Sequence, residues 1–232
     1  MRTAILYSGG KDSNLSLWRL AKAGHDIVAL ISAVSDRDDS WMFHTPNVDL
    51  CRYQAECLEI PWEAVKVSGV KEAEVEELAT AISRLKKSLT IEAIGTGAIA
   101  SKYQRERVGS ICSKLGLGEL SPLWGQSEVD LLREMLSLGF EIYFTSVSAE
   151  GLGKEWLGVR LDKSSVSSLL RLKALYNVNI SGEGGEYETF VADMPLFRQR
   201  IEILKAQTNW SHNSGTWAIK KIKLVHKPPF PS

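Results

Sequence analysis

The sequence has no charge bias, for its 28 basic residues are matched by 28 acidic ones. Proteins that grip duplex nucleic acid usually carry a basic excess, so nucleic acid is not expected as a partner, although the balance leaves room for a local basic groove. No apolar run reaches the roughly eighteen residues of a membrane helix, and no charged-then-apolar leader is present. A soluble cytoplasmic protein without membrane contact is expected. Cysteine is scarce. Cys51, Cys57 and Cys112 form no CxxC pair, and an odd count without an export signal excludes a disulfide framework and points to reduced thiols packed as small core residues. No self-similarity at a period of about 20 to 50 residues occurs, which excludes a repeat architecture.

What the sequence does have begins at once. The apolar run from Thr3 to Tyr7 reads as a buried strand, and Asn14 to Ala23, with Leu15, Leu17, Trp18 and Leu20, reads as a helix. Between them lies Ser8-Gly9-Gly10-Lys11-Asp12-Ser13. A strand leading into a helix N-terminus is where an anion is best held, because unpaired N–H groups and the positive end of the helix dipole converge there. The glycine pair lets backbone approach phosphate oxygens, Lys11 adds a positive charge, and Ser8 and Ser13 add hydroxyl donors. The spacing is not that of the GxxxxGK[ST] loop.

Further along, strands alternate with helices. Gly24 suits a C-cap, Ile27 to Ala33 and Trp62 to Val67 read as strands, and a helix capped by Thr45 or Asn47 runs to about Leu58. Glu72 to Lys87 is a helix with Val75, Leu78, Ala79, Ile82 and Leu85 on one face. Ile91 to Ile94 is a short strand ending in Gly95-Thr96-Gly97, and Tyr103 to Leu115 is a helix. This rhythm predicts an α/β fold with a doubly wound parallel sheet, closed near Ser121-Pro122-Leu123-Trp124-Gly125. We expect residues 1–125 to form a nucleotide-binding domain and residues 126–232 a smaller C-terminal α+β extension. In the extension we expect a helix from Glu128 to Leu138, a strand from Glu141 to Val147 and a helix capped by Asp162 running to about Tyr176. A hairpin follows from Arg200 to Val225, turning at Asn213-Ser214-Gly215 with a register break at Lys220-Lys221, and the tail from Lys227 to Pro231 frays.

Candidate site residues cluster in three places. His44, in the polar loop after the second strand, is either a surface histidine or a nucleotide contact. Gln104, Arg105 and Arg107 open a helix just after Gly95 and Gly97, where a guanidinium is either solvated or shaped to bind phosphate or carboxylate. The acidic stretch Gly182-Glu183-Gly184-Gly185-Glu186-Tyr187-Glu188-Thr189 reads either as a solvated turn or as a source of carboxylates for Mg²⁺ or a cationic substrate group, with Asp193 a further candidate.

The loop at Ser8 to Ser13 resembles the SGGxDS pyrophosphate loop of the N-type ATP pyrophosphatases. Taken with MFHTPN at Met42 to Asn47, YQRERV beginning at Tyr103, PLWG at Pro122 to Gly125 and GEGGEYET at Gly182 to Thr189, the chain resembles the diphthine–ammonia ligase branch of that superfamily. The first block marks the superfamily alone, and the last is specific to the branch. The resemblance implies ATP-dependent amidation of diphthine on translation elongation factor 2 by ammonium, through an acyl adenylate, with ATP and Mg²⁺ required. It implies that Ser8, Gly9, Gly10, Lys11 and Ser13 hold phosphates, that Lys11 offsets charge on departing pyrophosphate, and that Asp12 positions Mg²⁺ or caps the helix. His44, Gly95 and Gly97 then belong to the nucleotide site. Tyr103, Gln104, Arg105, Arg107, Glu183, Glu186, Glu188 and Thr189 belong to substrate binding, with Glu186 and Glu188 also catalytic candidates. No general base is assigned. The alternatives are amidation of a small metabolite, tRNA modification, or a non-catalytic nucleotide sensor. No glutaminase module is visible, so free ammonia is expected. The oligomeric state is left open, with a homodimer one option.

Overall fold

The computed structural model of the chain describes residues 1–35, 47–70 and 72–227. His44 and most of the MFHTPN block therefore lie outside the described residues, as does most of the tail expected to fray. Two compact units are distinguished. The first comprises residues 1–8, 12–56 and 60–125, and the second comprises residues 9–11, 57–59 and 126–232, so that Gly9, Gly10 and Lys11 are grouped with the C-terminal part.

In the first unit, β1 (Arg2–Leu6), β2 (Asp26–Ser35), β3 (Trp62–Val67), β4 (Ala93–Gly95) and β5 (Gly118–Leu120) form one sheet in the order β3-β2-β1-β4-β5. Every pairing is parallel. Strand order reverses direction at β1, which is the doubly wound arrangement expected, and in such sheets ligands gather beyond the carboxyl ends of the strands. The connecting helices are α1 (Lys11–Lys22), α2 (Cys51–Leu58), α3 (Ala73–Leu89) and α4 (Lys102–Leu115). Parallel strands covered on both faces must be apolar throughout, and Ala4, Ile31, Val65 and Ile94 are buried together with Leu78 and Ile82 of α3 and Ile111 of α4.

Several element bounds differ from the sequence reading. Helix α1 begins at Lys11, not Asn14, so Lys11, Asp12 and Ser13 form its first turn. Those residues are polar and give no apolar period, whereas an acidic residue in a first turn is what the helix dipole favours. Strand β5 was not foreseen because three residues, one of them glycine, show no period. Strand β4 starts two residues later than read and includes Gly95. A 3-10 turn at Val48–Leu50 precedes α2, and Asn47 ahead of it has a left-handed backbone (φ 66).

In the second unit, β6 (Glu141–Val147), β7 (Tyr187–Asp193), β8 (Gln199–Ser211) and β9 (Ser214–His226) form an antiparallel sheet in the order β7-β6-β9-β8, with α5 (Glu128–Ser137) and α6 (Lys163–Tyr176) beside it in sequence. Phe144 is fully buried, its ring edge-on to Trp156 at 5.1 Å and to Tyr187 at 5.0 Å. The hairpin turns on His212 and Asn213, one residue earlier than read, because Ser211 already pairs with Ser214. Its register shifts opposite Lys220 and Lys221, as expected. No helix among the described residues is long and apolar enough to cross a membrane.

Asp162 caps α6 through a reciprocal capping box, its carboxylate accepting from the Ser165 N–H at 2.7 Å while the Ser165 hydroxyl accepts from the Asp162 N–H at 2.7 Å. Donation by the Ser165 backbone and by the Ser164 and Ser165 hydroxyls holds the Asp162 carboxyl down at about 2, below its ordinary 3.8. A carboxylate whose pKa is lower in the folded chain contributes stability above its unfolded pKa and loses it as pH falls toward the folded one. Asp162→Ala is therefore expected to cost about 1 kcal/mol in urea unfolding at neutral pH. The difference between the two chains should shrink as pH falls from 3.8 toward about 2. A Cβ at Gly97 would fall 2.7 to 2.9 Å from the backbone of Asp12 and Ser13. Because backbone in the first turn of α1 cannot move aside freely, Gly97→Ala should destabilise the chain by about 1 to 3 kcal/mol, measured in the same way.

Candidate active site

The pyrophosphate-type loop is anchored at its entry by a chain of buried polar contacts. The Tyr7 N–H donates to the Ile31 carbonyl at 2.8 Å, the Tyr7 hydroxyl donates to Asn14 Oδ1 at 2.7 Å, and the Ser32 hydroxyl donates to the Tyr7 carbonyl at 2.6 Å. Trp62 Nε1 in turn donates to Ser32 Oγ at 2.8 Å. The Ser16 hydroxyl donates to the Thr96 carbonyl at 2.7 Å, tying α1 to the end of β4. None of these positioning residues was singled out in the sequence. The available signal was a polar side chain where helix and strand periods place a core residue, for Asn14 and Ser16 alternate with Leu15 and Leu17 and all four are fully buried.

Gly9 takes φ 76, a conformation that side-chain-bearing residues rarely adopt, and this turns the chain into α1. Ser8 and Ser13 stand on either side of that turn with their hydroxyl oxygens 3.3 Å apart. Asp12 lies in the first turn of α1. The two glycines of the Gly95-Thr96-Gly97 stretch have steric reasons within the first unit. A Cβ at Gly95 would meet Ile5 and Leu20 at 2.6 Å, and Gly97 abuts α1 as described. The backbone contact makes glycine necessary at Gly97, whereas at Gly95 the close atoms are terminal methyl groups of Ile5 and Leu20.

The helix that follows holds its arginines in place. Arg105 stacks its guanidinium 4.3 Å over the Trp124 ring and lies 3.7 Å from Glu119, while Arg107 sits 3.5 Å over the Tyr103 ring and pairs with Glu72. The Gln104 N–H donates to Ser101 Oγ, the N-cap of α4. The sequence reading offered solvation or ligand binding for the arginines, and the structure shows a third use, since both are engaged by aromatic faces and carboxylates of the first unit. Trp124 of the PLWG segment serves as one of those faces.

In the second unit the turn of the acidic loop leaves Gly184 and Gly185 exposed, while its flanks at Ser181, Tyr187 and Thr189 are buried. Lys11 is only 3% exposed, and its ammonium donates to the Ser181 carbonyl and lies 5.2 Å from the centre of the Tyr187 ring. The Lys11 N–H donates to the Thr189 hydroxyl at 3.1 Å, and the Gly9 carbonyl accepts from the Val191 N–H at 3.2 Å. Residues about 180 positions apart in sequence thus meet around one buried charge. Ser181 and Tyr187 were not assigned roles in the sequence reading, and a buried tyrosine beside glycines was the only hint. The Tyr187 hydroxyl donates to the Ile180 carbonyl at 2.5 Å, and Asn179 Oδ1 accepts from the Ser181 N–H at 2.9 Å.

Of the carboxylates, Glu186 accepts from the Asn179 N–H through Oε1 at 3.1 Å, while Oε2 is buried with no hydrogen-bond partner among the described residues. Glu188 is half-buried on β7 opposite Ser146, and the Glu183 N–H donates to Ser181 Oγ at 3.4 Å. Asp193 is taken up differently, by an ion pair with Lys227 at 2.6 Å, although burial still pushes its pKa up. Thiol chemistry is disfavoured, because burial raises Cys51 to about 12 and Cys112 to about 11, far from a thiolate at neutral pH.

The described residues contain no group of three or more His, Cys, Asp or Glu side chains placed to hold a metal ion. Mg²⁺ bound with a nucleotide takes one or two protein carboxylates and draws its other ligands from phosphates and water. Asp12, in the first turn of α1, is a carboxylate placed where such a role would be filled. A turn opened by Gly9 at a helix N-terminus likewise fits a nucleotide phosphate.

A family model described as the diphthamide synthase N-terminal domain matches residues 1–119, and one described as the diphthamide synthase C-terminal domain matches residues 127–225. The diphthine–ammonia ligase of Bos taurus is 36% identical over 237 residues, covering 94% of this chain and 88% of its own. That of Schizosaccharomyces pombe is 36% identical over 243 residues, covering 98% of this chain but 40% of its own. The chain thus spans most of the bovine relative and less than half of the fission-yeast one. A solved structure of a predicted subunit of tRNA methyltransferase from Methanocaldococcus jannaschii is 18% identical and covers 84% of this chain and 98% of its own, with a TM-score of 0.44, too low to argue from. With both family models matched and the 36%-identical bovine relative covered to 88% of its length, the chain belongs to the diphthine–ammonia ligase family.

Proposed function

We propose that this chain amidates diphthine on translation elongation factor 2, using ammonium and cleaving ATP to AMP and pyrophosphate. The observation that carries the reading is the meeting of the SGGKDS and GEGGEYET motifs around Lys11, within a chain matched by both diphthamide synthase models. Their close packing is what an enzyme needs if phosphate binding and acceptor binding are to act in one reaction.

A carboxylate is a poor electrophile and must first gain a leaving group. The diphthine carboxylate oxygen attacks the α-phosphorus of ATP, the bond to the β-phosphate oxygen breaks, and pyrophosphate leaves. Ammonia then attacks the acyl carbon, AMP departs, and the amide remains. Ser8, Gly9, Gly10 and Ser13 are assigned to the phosphates, with Asp12 the carboxylate available to Mg²⁺, which when bound neutralises phosphate charge. Lys11 contributes positive potential from a buried position and holds the loop to β7. Residues 1–125 are assigned to the nucleotide and 126–232 to the acceptor. Glu186 is the residue best suited to ammonium, since its partnerless Oε2 would satisfy a small cation and be satisfied by it. Glu183, Glu188 and Thr189 are assigned to the acceptor side. The reaction belongs in the cytoplasm, where its protein substrate works.

The test is incubation with Mg-ATP, nitrogen-15 ammonium and elongation factor 2 carrying diphthine, followed by mass spectrometry of the modified peptide and a pyrophosphate assay. Label should enter the peptide in step with pyrophosphate. Pyrophosphate without label would transfer the activity to another acceptor, and ATP binding with neither product would make the chain a sensor. Lys11→Ala should lower labelling by roughly 100-fold or more, the usual loss when a preorganised charge is removed. Glu186→Gln keeps the shape but removes the charge, so KM for ammonium should rise by about 10- to 100-fold while KM for ATP stays the same. An unchanged ammonium KM in that variant would remove Glu186 from the ammonium site.

A further inference from the structure

The chain is neutral overall but not locally. Residues 198–227 carry seven basic side chains and one acidic side chain, Glu202, which leaves 21 basic against 27 acidic residues in the rest of the chain. Nearly all of this stretch is the β8–β9 hairpin, whose 13-residue strands each extend about 43 Å. Strand β8 is the outer strand of its sheet, and β9 joins β6 through only Ser146 with Thr216 and Val147 with Gly215.

Most of the cations elsewhere that are held by ion pairs have a carboxylate close at hand, as in Arg84 with Glu63, Arg107 with Glu72 and Lys114 with Glu76. On the hairpin segment, Arg198 pairs with Glu59, Lys227 pairs with Asp193, and Lys223 stands opposite Glu202. Arg200, Lys205, Lys220 and Lys221 are exposed and make no ion pair among the described residues.

Three of these gather at one irregularity. Lys205 and Lys221 are direct cross-strand neighbours, and Lys220 is the residue passed over where the register shifts. Like charges directly opposite on a ladder are destabilising. Lysine on an edge strand discourages unwanted pairing, but one lysine does this without a second placed opposite it. A counter-charge from outside the chain would remove the repulsion.

The shape of the patch selects among anionic partners. Duplex nucleic acid carries a charge about every 1.7 Å along a rod and would also meet the net negative remainder of the chain. An acidic polypeptide segment brings its charge locally, and it can hydrogen-bond along the outer edge of β8 as an added strand. Leu204 at 47% exposure and Trp210 at 36% lie on that same strand and offer apolar contact. We infer that the β8–β9 hairpin is a docking surface for an acidic protein segment. On the function proposed above, which this step rests on, that segment belongs to the protein carrying the acceptor.

The triple variant Lys205→Glu, Lys220→Glu, Lys221→Glu tests this directly, since all three side chains are exposed and none is assigned to chemistry. It should raise KM for the acceptor protein by roughly tenfold or more while kcat and KM for ATP stay unchanged, and it should abolish the rise of KM with salt expected of the parent chain. Replacing the same lysines with arginine should preserve the parent behaviour. An unchanged KM in the glutamate variant would overturn the proposal and leave the lysines as protection of a free edge. Should the parent chain fail to amidate the acceptor, the surface is read by fluorescence anisotropy with an oligoglutamate peptide and an RNA oligonucleotide of equal charge. Peptide binding that exceeds RNA binding and is lost in the glutamate variant supports docking, whereas tighter RNA binding or no peptide binding overturns it.

Discussion

A buried ammonium is the constraint on which the site's architecture rests. Removing a charge from water costs several kcal/mol unless polar partners replace the lost hydration. For Lys11 the partners include the Ser181 carbonyl and the face of Tyr187, so residues 180–189 must be folded before Lys11 can be buried. The backbone is bound to the same place, through Lys11 to Thr189 and Gly9 to Val191. Gly9 is therefore held by β7 through its carbonyl, and Lys11 through its N–H. A loop held in this way has its backbone anchored by contacts within the chain, and preorganised groups of that kind are what electrostatic catalysis requires.

The same logic separates the charges of this chain into those with an internal purpose and those without. Arg105 and Arg107 are engaged by Trp124, Glu119, Tyr103 and Glu72. Asp193 is consumed by Lys227. Among the described residues, Glu186 Oε2 has no hydrogen-bond partner and the lysines around the β8–β9 register shift have no ion-pair partner. On the proposals above, these groups take their partners from outside the chain. One is suited to a small cation and the other to an acidic surface.

Much of the first unit was legible from periodicity alone. The apolar runs of β1, β2 and β3 and the stripe of α3 each reflect burial that a parallel sheet imposes on every strand. The Asp162 cap was legible because capping is local chemistry within four residues. The start of α1 at Lys11 and the three-residue β5 were not, since neither leaves a periodic trace. The acidic loop could be read as solvated or functional by composition, and the resemblance of GEGGEYET to a family is what favours the functional reading.

By itself, then, the sequence determined the fold class, the turn from β1 into α1 and the family, because each is written in local order, in spacing or in a contiguous motif. Only the tertiary structure decided where charges go. Burial of Lys11, capture of the α4 arginines by aromatic rings, the steric need for Gly97 against the first turn of α1, and the meeting of Lys205 with Lys221 each depend on residues distant in sequence. Electrostatic energy depends on distance and on exclusion of water, and neither quantity exists until the chain has folded.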